Sequence, residues 1–259
     1  MATLKGSACL FLYWTLIPGV PVLAQPPPNP NAQQTAAGMV RMHEAWGSAL
    51  STPNASISLK EVSRAGGVVR YRVYANGLPG QSKYVLMNWP VTKLAPVEVA
   101  RGVTLDRGGL AVCLGTQDPC SNSTNRNGPL EIVVTPVPGE PLRAALVSMD
   151  DPRIKAMARI VPIPNEVEDR GCSLSFVLLA PNAALAVVEG RGFGPGKQVT
   201  IELASGDESL TSTGRASQDG RYNHAVLPFR KGLPSGTTTV RFKTPECAPS
   251  LTFEWGQRR

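Results

Sequence analysis

Histidine is scarce in this 259-residue chain, and the familiar catalytic phrases are missing. There are two histidines, His43 and His224, no G-x-S-x-G elbow and no H-E-x-x-H helix. Asp150-Asp151 runs into Pro152 and reads as a turn rather than a carboxylate pair. No C-x-x-C spacing offers a zinc site. No dense basic run interleaved with aromatics offers a nucleic-acid surface, although the formal net charge is +7. No apolar run reaches the roughly 20 residues of a spanning helix. The expectation is a chain that is not an enzyme, with no cofactor, no metal site and no nucleic-acid partner.

Long helical periods are also wanting beyond residue 50. Glycine and proline are plentiful instead, at 25 and 24 residues, which favours many turns. In the last third short apolar segments succeed one another. Val199, Ile201 and Leu203, and later Leu251, Phe253 and Trp255, fall at every second position, as a strand with one buried face requires. Ser205-Gly206-Asp207, Gln218-Asp219-Gly220 and Pro234-Ser235-Gly236 supply turns between such segments. About seven strands at this spacing suit a two-sheet sandwich. Residues 172–256 are therefore expected to form one β-sandwich.

The middle of the chain reads similarly. Gly66-Gly67 joins two strands, and in the second Val69, Tyr71 and Val73 oppose Arg70, Arg72 and Tyr74. Further strands are expected at 83–89, 97–105, 110–114, 130–135, 142–148 and 156–163, with a hairpin turn at Asp106-Arg107-Gly108-Gly109. Residues 55–165 are thus expected as a first sandwich, and the acidic 166–171 as a linker. Arg70 and Arg72 on a wet sheet face, and Tyr84 and Trp89 as stacking rings, are the candidate ligand contacts.

Met1 to Ala24 has a signal-peptide layout: Lys5, an apolar stretch from Ala8 to Ile17, a Pro18-Gly19 break and Val22-Leu23-Ala24 before Gln25. Lys5 is the one charged residue of that stretch, so cleavage would leave +6. No integral membrane span would remain. Residues 25–54 are expected as a proline-rich linker leading into a short helix between Ala36 and Leu50, with Met39, Val40, His43 and Trp46 at helical spacing. Four cysteines then remain: Cys113, Cys120, Cys172 and Cys247. An even count in an exported chain implies disulfides. Three pairings exist, and sequence order favours Cys113–Cys120 and Cys172–Cys247, worth roughly 2.5 and 4.5 kcal/mol on a loop-entropy basis.

The phrase Gly190-Arg191-Gly192-Phe193-Gly194-Pro195-Gly196-Lys197-Gln198-Val199, with Ala216-Ser217-Gln218-Asp219-Gly220-Arg221-Tyr222 after it, resembles the opening and hairpin of bacterial immunoglobulin-like modules of the IPT/TIG type. The resemblance covers the last third of the chain. It implies an immunoglobulin-like sandwich there and leaves function open, because such modules serve many roles. With the strand pattern of the middle, the expectation is an all-β chain of two tandem immunoglobulin-like β-sandwich domains. The expected role is a non-catalytic binding or structural module of the cell envelope, located in the periplasm, on the surface or outside the cell. Its partner is expected to be a protein or a cell-wall polymer. A carbohydrate- or wall-binding module is the alternative, and a secreted hydrolase a remoter one.

Overall fold

The computed structural model describes residues 30–113, 128–228 and 232–256. One helix, α1 (Pro30–Ala45), and a 3-10 turn at Ser48–Leu50 precede an otherwise all-β chain. The first group of strands is β1 (Ser56–Ala65), β2 (Val68–Asn76), β3 (Tyr84–Asn88), β4 (Val97–Leu105), β5 (Ala111–Cys113), β6 (Gly128–Pro129), β7 (Glu131–Val134), β8 (Leu142–Ser148) and β9 (Lys155–Ile160). These make a sheet of order β1-β2-β7 facing one of order β6-β5-β4-β3-β8-β9. The second group is β10 (Asn165–Asp169), β11 (Cys172–Leu178), β12 (Ala186–Arg191), β13 (Gln198–Ser205), β14 (Glu208–Arg215), β15 (Tyr222–Val226), β16 (Ser235–Lys243) and β17 (Ser250–Gly256). It forms sheets of order β10-β11-β12-β15 and β14-β13-β16-β17. All named strand pairings are antiparallel.

Alternation explains the first sandwich. Val69, Tyr71, Val73 and Ala75 of β2 are buried while the residues between them are half-exposed. They pack against Tyr84, Leu86, Val103 and Leu146 of the opposing sheet. Gly66 and Gly67 both take positive φ, at 58° and 77°. That mirror-image turn matches the strand twist, and glycine enters it without strain. Asp106 closes the β4–β5 turn, its Oδ1 accepting the N–H groups of Gly108 and Leu110 at 2.8 Å each.

The second core gathers Leu174, Phe176, Val188, Val199, Ile201, Val240, Phe242, Leu251, Phe253 and Trp255. Phe193, from the glycine phrase, is buried against Phe242 with ring centroids 6.1 Å apart. Gly192 carries φ +81°, and a Cβ there would stand 2.1 Å from the Gly171 carbonyl oxygen. The phrase is therefore a strand-end turn that seats an aromatic plug. Cys172 and Cys247 form a disulfide with Cα atoms 6.2 Å apart, linking the start of β11 to the segment before β17.

Two expected boundaries change. Residues 166–171 are not a linker. Asn165–Asp169 pairs in register with Cys172–Phe176, and Arg170-Gly171 make the turn between them at φ 48° and 83°. Glu166 and Glu168 are the outward half of an alternating strand, with Val167 packed on the core and Asp169, on the same side as Val167, accepting the Ala248 N–H at 2.7 Å. Likewise α1 begins at Pro30, so residues 30–35 are helical rather than linker. The expected signal peptide, residues 25–29 and Cys120 lie outside the described residues. Cys113 is buried and disulfide-bonded.

Candidate functional site

Two regions carry chemistry beyond packing, and α1 contributes to both. Along one face of the helix Ala36, Met39 and Val40 cover Leu179, Leu185 and Val187, on the outer side of the second sandwich. Just past its end, Trp46 packs with Trp89 and Ala145 on the outer side of the first. The rings of Trp46 and Trp89 lie 5.5 Å apart, and Trp46 Nε1–H donates to the Ala158 carbonyl at 3.0 Å. The helix thus straps one sandwich to the other.

Between these apolar anchors lies a buried polar cluster: His43 of α1, Arg143 of β8, Arg159 of β9 and Glu189 of β12. His43 Nε2 is 3.0 Å from Glu189 Oε1, and Arg143 Nη2 is 3.1 Å from His43 Nδ1. A guanidinium only donates, so Nδ1 accepts from Arg143, while Arg159 Nη1 lies against both ring nitrogens and Nε2 also faces the carboxylate. Arg159 Nη2 pairs with the same Glu189 oxygen at 2.9 Å. Arg143 also points at the Leu178 and Trp89 carbonyls and lies over the Trp89 ring, 4.7 Å from its centroid.

Burial, reinforced by the two arginines, lowers the His43 pKa to about 4 against the pull of Glu189. Burial alone would raise Glu189, but the His43 hydrogen bond and the Arg159 charge hold it at about 2. Burial and the neighbouring Arg159 bring Arg143 down to about 10. The cluster is a carboxylate, a neutral imidazole and two guanidiniums at neutral pH. It fastens α1 and the two sandwiches together, and among the described residues its hydrogen bonds include no hydroxyl or thiol.

The second region is an apolar groove of about 570 Å³ beside β15. On one side Ala36, Ala37, Val40 and Arg41 of α1 form the wall, with Leu185 beneath. On the other, Leu203 of β13 and Leu210 of β14 face His224 and Val226. Ala225 and Leu227 complete the lining. Register explains the two-sided shape. Ala225 opposes Val187, which faces the helix, whereas His224 and Val226 oppose Val188 and Ala186 of the inner core. The groove therefore runs around the free edge of a strand. Leu210 and Leu227 are left 60% and 55% exposed there, unusually wet for leucines at a sandwich seam. Burial lowers the His224 pKa, and its ring stacks near Tyr222 and stands edge-on to Phe242.

The residues singled out from sequence fall elsewhere. Tyr84 has no exposed surface and donates its hydroxyl to the Pro79 carbonyl at 2.6 Å. Trp89 is 3% exposed, with Nε1–H given to the Lys93 carbonyl at 2.9 Å. Neither ring offers a face to a sugar, so both are corrected from candidate ligand contacts to structural residues. Arg70 and Arg72 are half-exposed and share Glu131, at 3.7 and 3.2 Å. Sequence reasoning passed over Arg143, Arg159 and Glu189. The signal available was a lone charge inside an apolar strand, as in Leu142-Arg143-Ala144-Ala145 and Val187-Val188-Glu189.

Among the described residues no group of three or more His, Cys, Asp or Glu side chains is arranged to hold a metal ion, and no helix is long and apolar enough to cross a membrane. No family model matches the chain, and no curated protein matches it. A solved structure with detectable likeness is a tetra-tandem repeat from the extending region of a large adhesion protein. It is 11% identical over 78% of this chain, with a TM-score of 0.24, and this chain spans 47% of its length.

Proposed function

We propose that this chain is an exported, non-catalytic binding module of the cell envelope, and that it engages its partner along the groove beside β15. The observation that carries this reading is a contrast among sheet edges. Open strand edges are normally guarded by charge, proline or cover, because they pair with whatever strand arrives. The other edge strands follow that rule: β1 has Lys60, Glu61 and Arg64, β7 has Glu131, β9 has Lys155 and Arg159, β10 has Glu166 and Glu168, β14 has Glu208 and Arg215, β17 has Glu254, and β6 holds Pro129. β15, Tyr222-Asn223-His224-Ala225-Val226, has neither a charged residue nor a proline. An apolar groove also runs along it. The Cys172–Cys247 disulfide supports an oxidising compartment.

The test is site-specific photocrosslinking in the native envelope. A photoreactive residue replaces Leu210 or Ala225 in the groove, or Leu94, which is 78% exposed and lies far from it in sequence. Discrete adducts from the groove positions and none from Leu94 are expected. Equal capture from all three, or none from the groove, overturns the reading.

A further inference from the structure

We infer that the groove receives an extended polypeptide segment, which adds to β15 as a further strand and sets an acidic group against Arg41. This inference rests on the binding reading above and specifies its partner.

Three features point to a strand rather than to a compact or rod-like ligand. Among the described residues β15 pairs with β12 alone, so alternate N–H and C=O groups of the strand face away from its neighbour. An apolar rod laid over them would cover polar groups without giving them partners, at a cost. An incoming backbone pairs with them directly. Second, the groove has two walls, one on each face of the sheet. Ala36 and Val40 stand on the helix side and Leu203 and Leu210 on the seam side. A strand sends successive side chains to opposite faces, so a segment of consecutive apolar residues fills both walls at once. Main-chain pairing then supplies affinity and the alternating subsites selectivity. Third, the five residues of β15 give an edge about 16 Å long, enough for a segment of about five residues.

Charge sets the end preference. Arg41 is exposed at the groove wall and makes no ion pair among the described residues. It is the one cation of the lining, which contains no carboxylate; Glu44, outside the lining, is occupied by Asn223 Nδ2 of β15 at 3.3 Å. An aspartate, a glutamate or a terminal carboxylate on the incoming strand complements it.

The test uses the oxidised full chain and a synthetic heptapeptide of alternating valine and leucine ending in aspartate. Two comparison peptides carry a central proline or end in amidated lysine. Binding is read by fluorescence anisotropy, and amide hydrogen exchange is followed across residues 222–226. The aspartate peptide is expected to bind and to slow exchange at alternate β15 amides, with the proline peptide at least tenfold weaker. Ala225→Lys guards the edge and should weaken binding at least tenfold. Leu210→Ser, at a mostly exposed site, should weaken it independently with the fold intact. Arg41→Gln should erase the preference for aspartate over lysine. Palmitate serves as the rival probe. Palmitate binding without peptide binding, or peptide binding that leaves the β15 amides unprotected, overturns the inference. If the peptides fail while crosslinks from Leu210 persist, the strand mode falls and the binding reading survives. If both fail, both fall.

Discussion

Arg143 and Arg159 stand directly opposite one another on β8 and β9. Like charges in that position repel, and here one of the two is almost wholly buried. The pair is tolerated because the second sandwich sends Glu189 against Arg159, while α1 places His43 between them. Arg143 relies on carbonyls, the Trp89 ring and the charge of Glu140, and among the described residues its Nε has no hydrogen-bond partner. Glu189 is thus the carboxylate on which the junction depends.

Removing that carboxylate should be costly. Glu189→Gln leaves two guanidiniums facing each other across the strands, and stranding a buried charge typically costs about 3–5 kcal/mol. Urea unfolding of the oxidised protein measures it. Replacing Glu189 and Arg159 together by methionine should recover a good part of the loss, because the repulsion goes with the partner. A Glu189→Gln cost below about 1 kcal/mol would show that solvent or a neighbouring group shields the arginines.

The same cluster makes stability fall in acid in two stages. His43 is lowered from its usual 6.5 to about 4. The unfolded chain therefore takes up a proton near pH 6.5 while the folded chain refuses it until about pH 4. The contribution of His43 is fully present above pH 6.5 and is lost as pH falls through that window, by up to about 3 kcal/mol. Glu189 is lowered from 4.5 to about 2, so its contribution holds above pH 4.5 and is lost below it. His43→Gln should flatten the stability profile between pH 6.5 and 4 and leave the lower stage in place. An unchanged slope in the upper window would rule out His43 as its source.

The Cys172–Cys247 clasp closes a loop with a sequence separation of 75. Its loss through the double substitution Cys172→Ala and Cys247→Ala should cost roughly 4.5 kcal/mol on a loop-entropy basis. Both sulfurs are buried in the second core, so the change should act there first. Hydrogen exchange resolved by strand should rise in β11 and β17 before β2 and β8. A uniform rise across both sandwiches would mean that they unfold as one unit.

Strand pattern was legible where local alternation and burial coincide. Val97–Leu105, Leu142–Ser148 and Tyr222–Val226 appear at the expected bounds, and Met39, Val40, His43 and Trp46 all face inward as their helical spacing implies. β10 was not legible, because Glu166, Glu168 and Asp169 surround a single apolar residue, Val167, and that composition also describes a solvated linker. Neither candidate region was readable in advance. The charge cluster joins residues 43, 143, 159 and 189, and nothing local in the sequence brings them together. The groove depends on which strand ends a sheet, a property of strand order rather than of strand pattern. Tyr84 and Trp89 illustrate the converse: an aromatic near a strand end looks the same in sequence whether it plugs a core or offers a face to a ligand.

Trp46 tests whether α1 is a strap or an integral part of the fold. Besides the His43 cluster, the end of the helix touches the first sandwich through this ring, and the helix touches the second through small and medium residues. Trp46→Ala removes the ring from Trp89 and Met157 and deletes the hydrogen bond to Ala158. Truncating a buried tryptophan costs about 3–5 kcal/mol when the whole fold must absorb it. A strap can instead open locally, at a free energy below that of global unfolding. Exchange across Gly38–Ala45 should then rise at least tenfold more than exchange in β8, with the urea midpoint moving little. Peptide affinity for the groove should drop as well, since Ala36 and Val40 form its helix-side wall, while the β15 edge itself stays available. If the midpoint falls by the full amount and α1 exchange rises no more than that of β8, the helix is bound into a single cooperative unit, and the groove has a fixed wall.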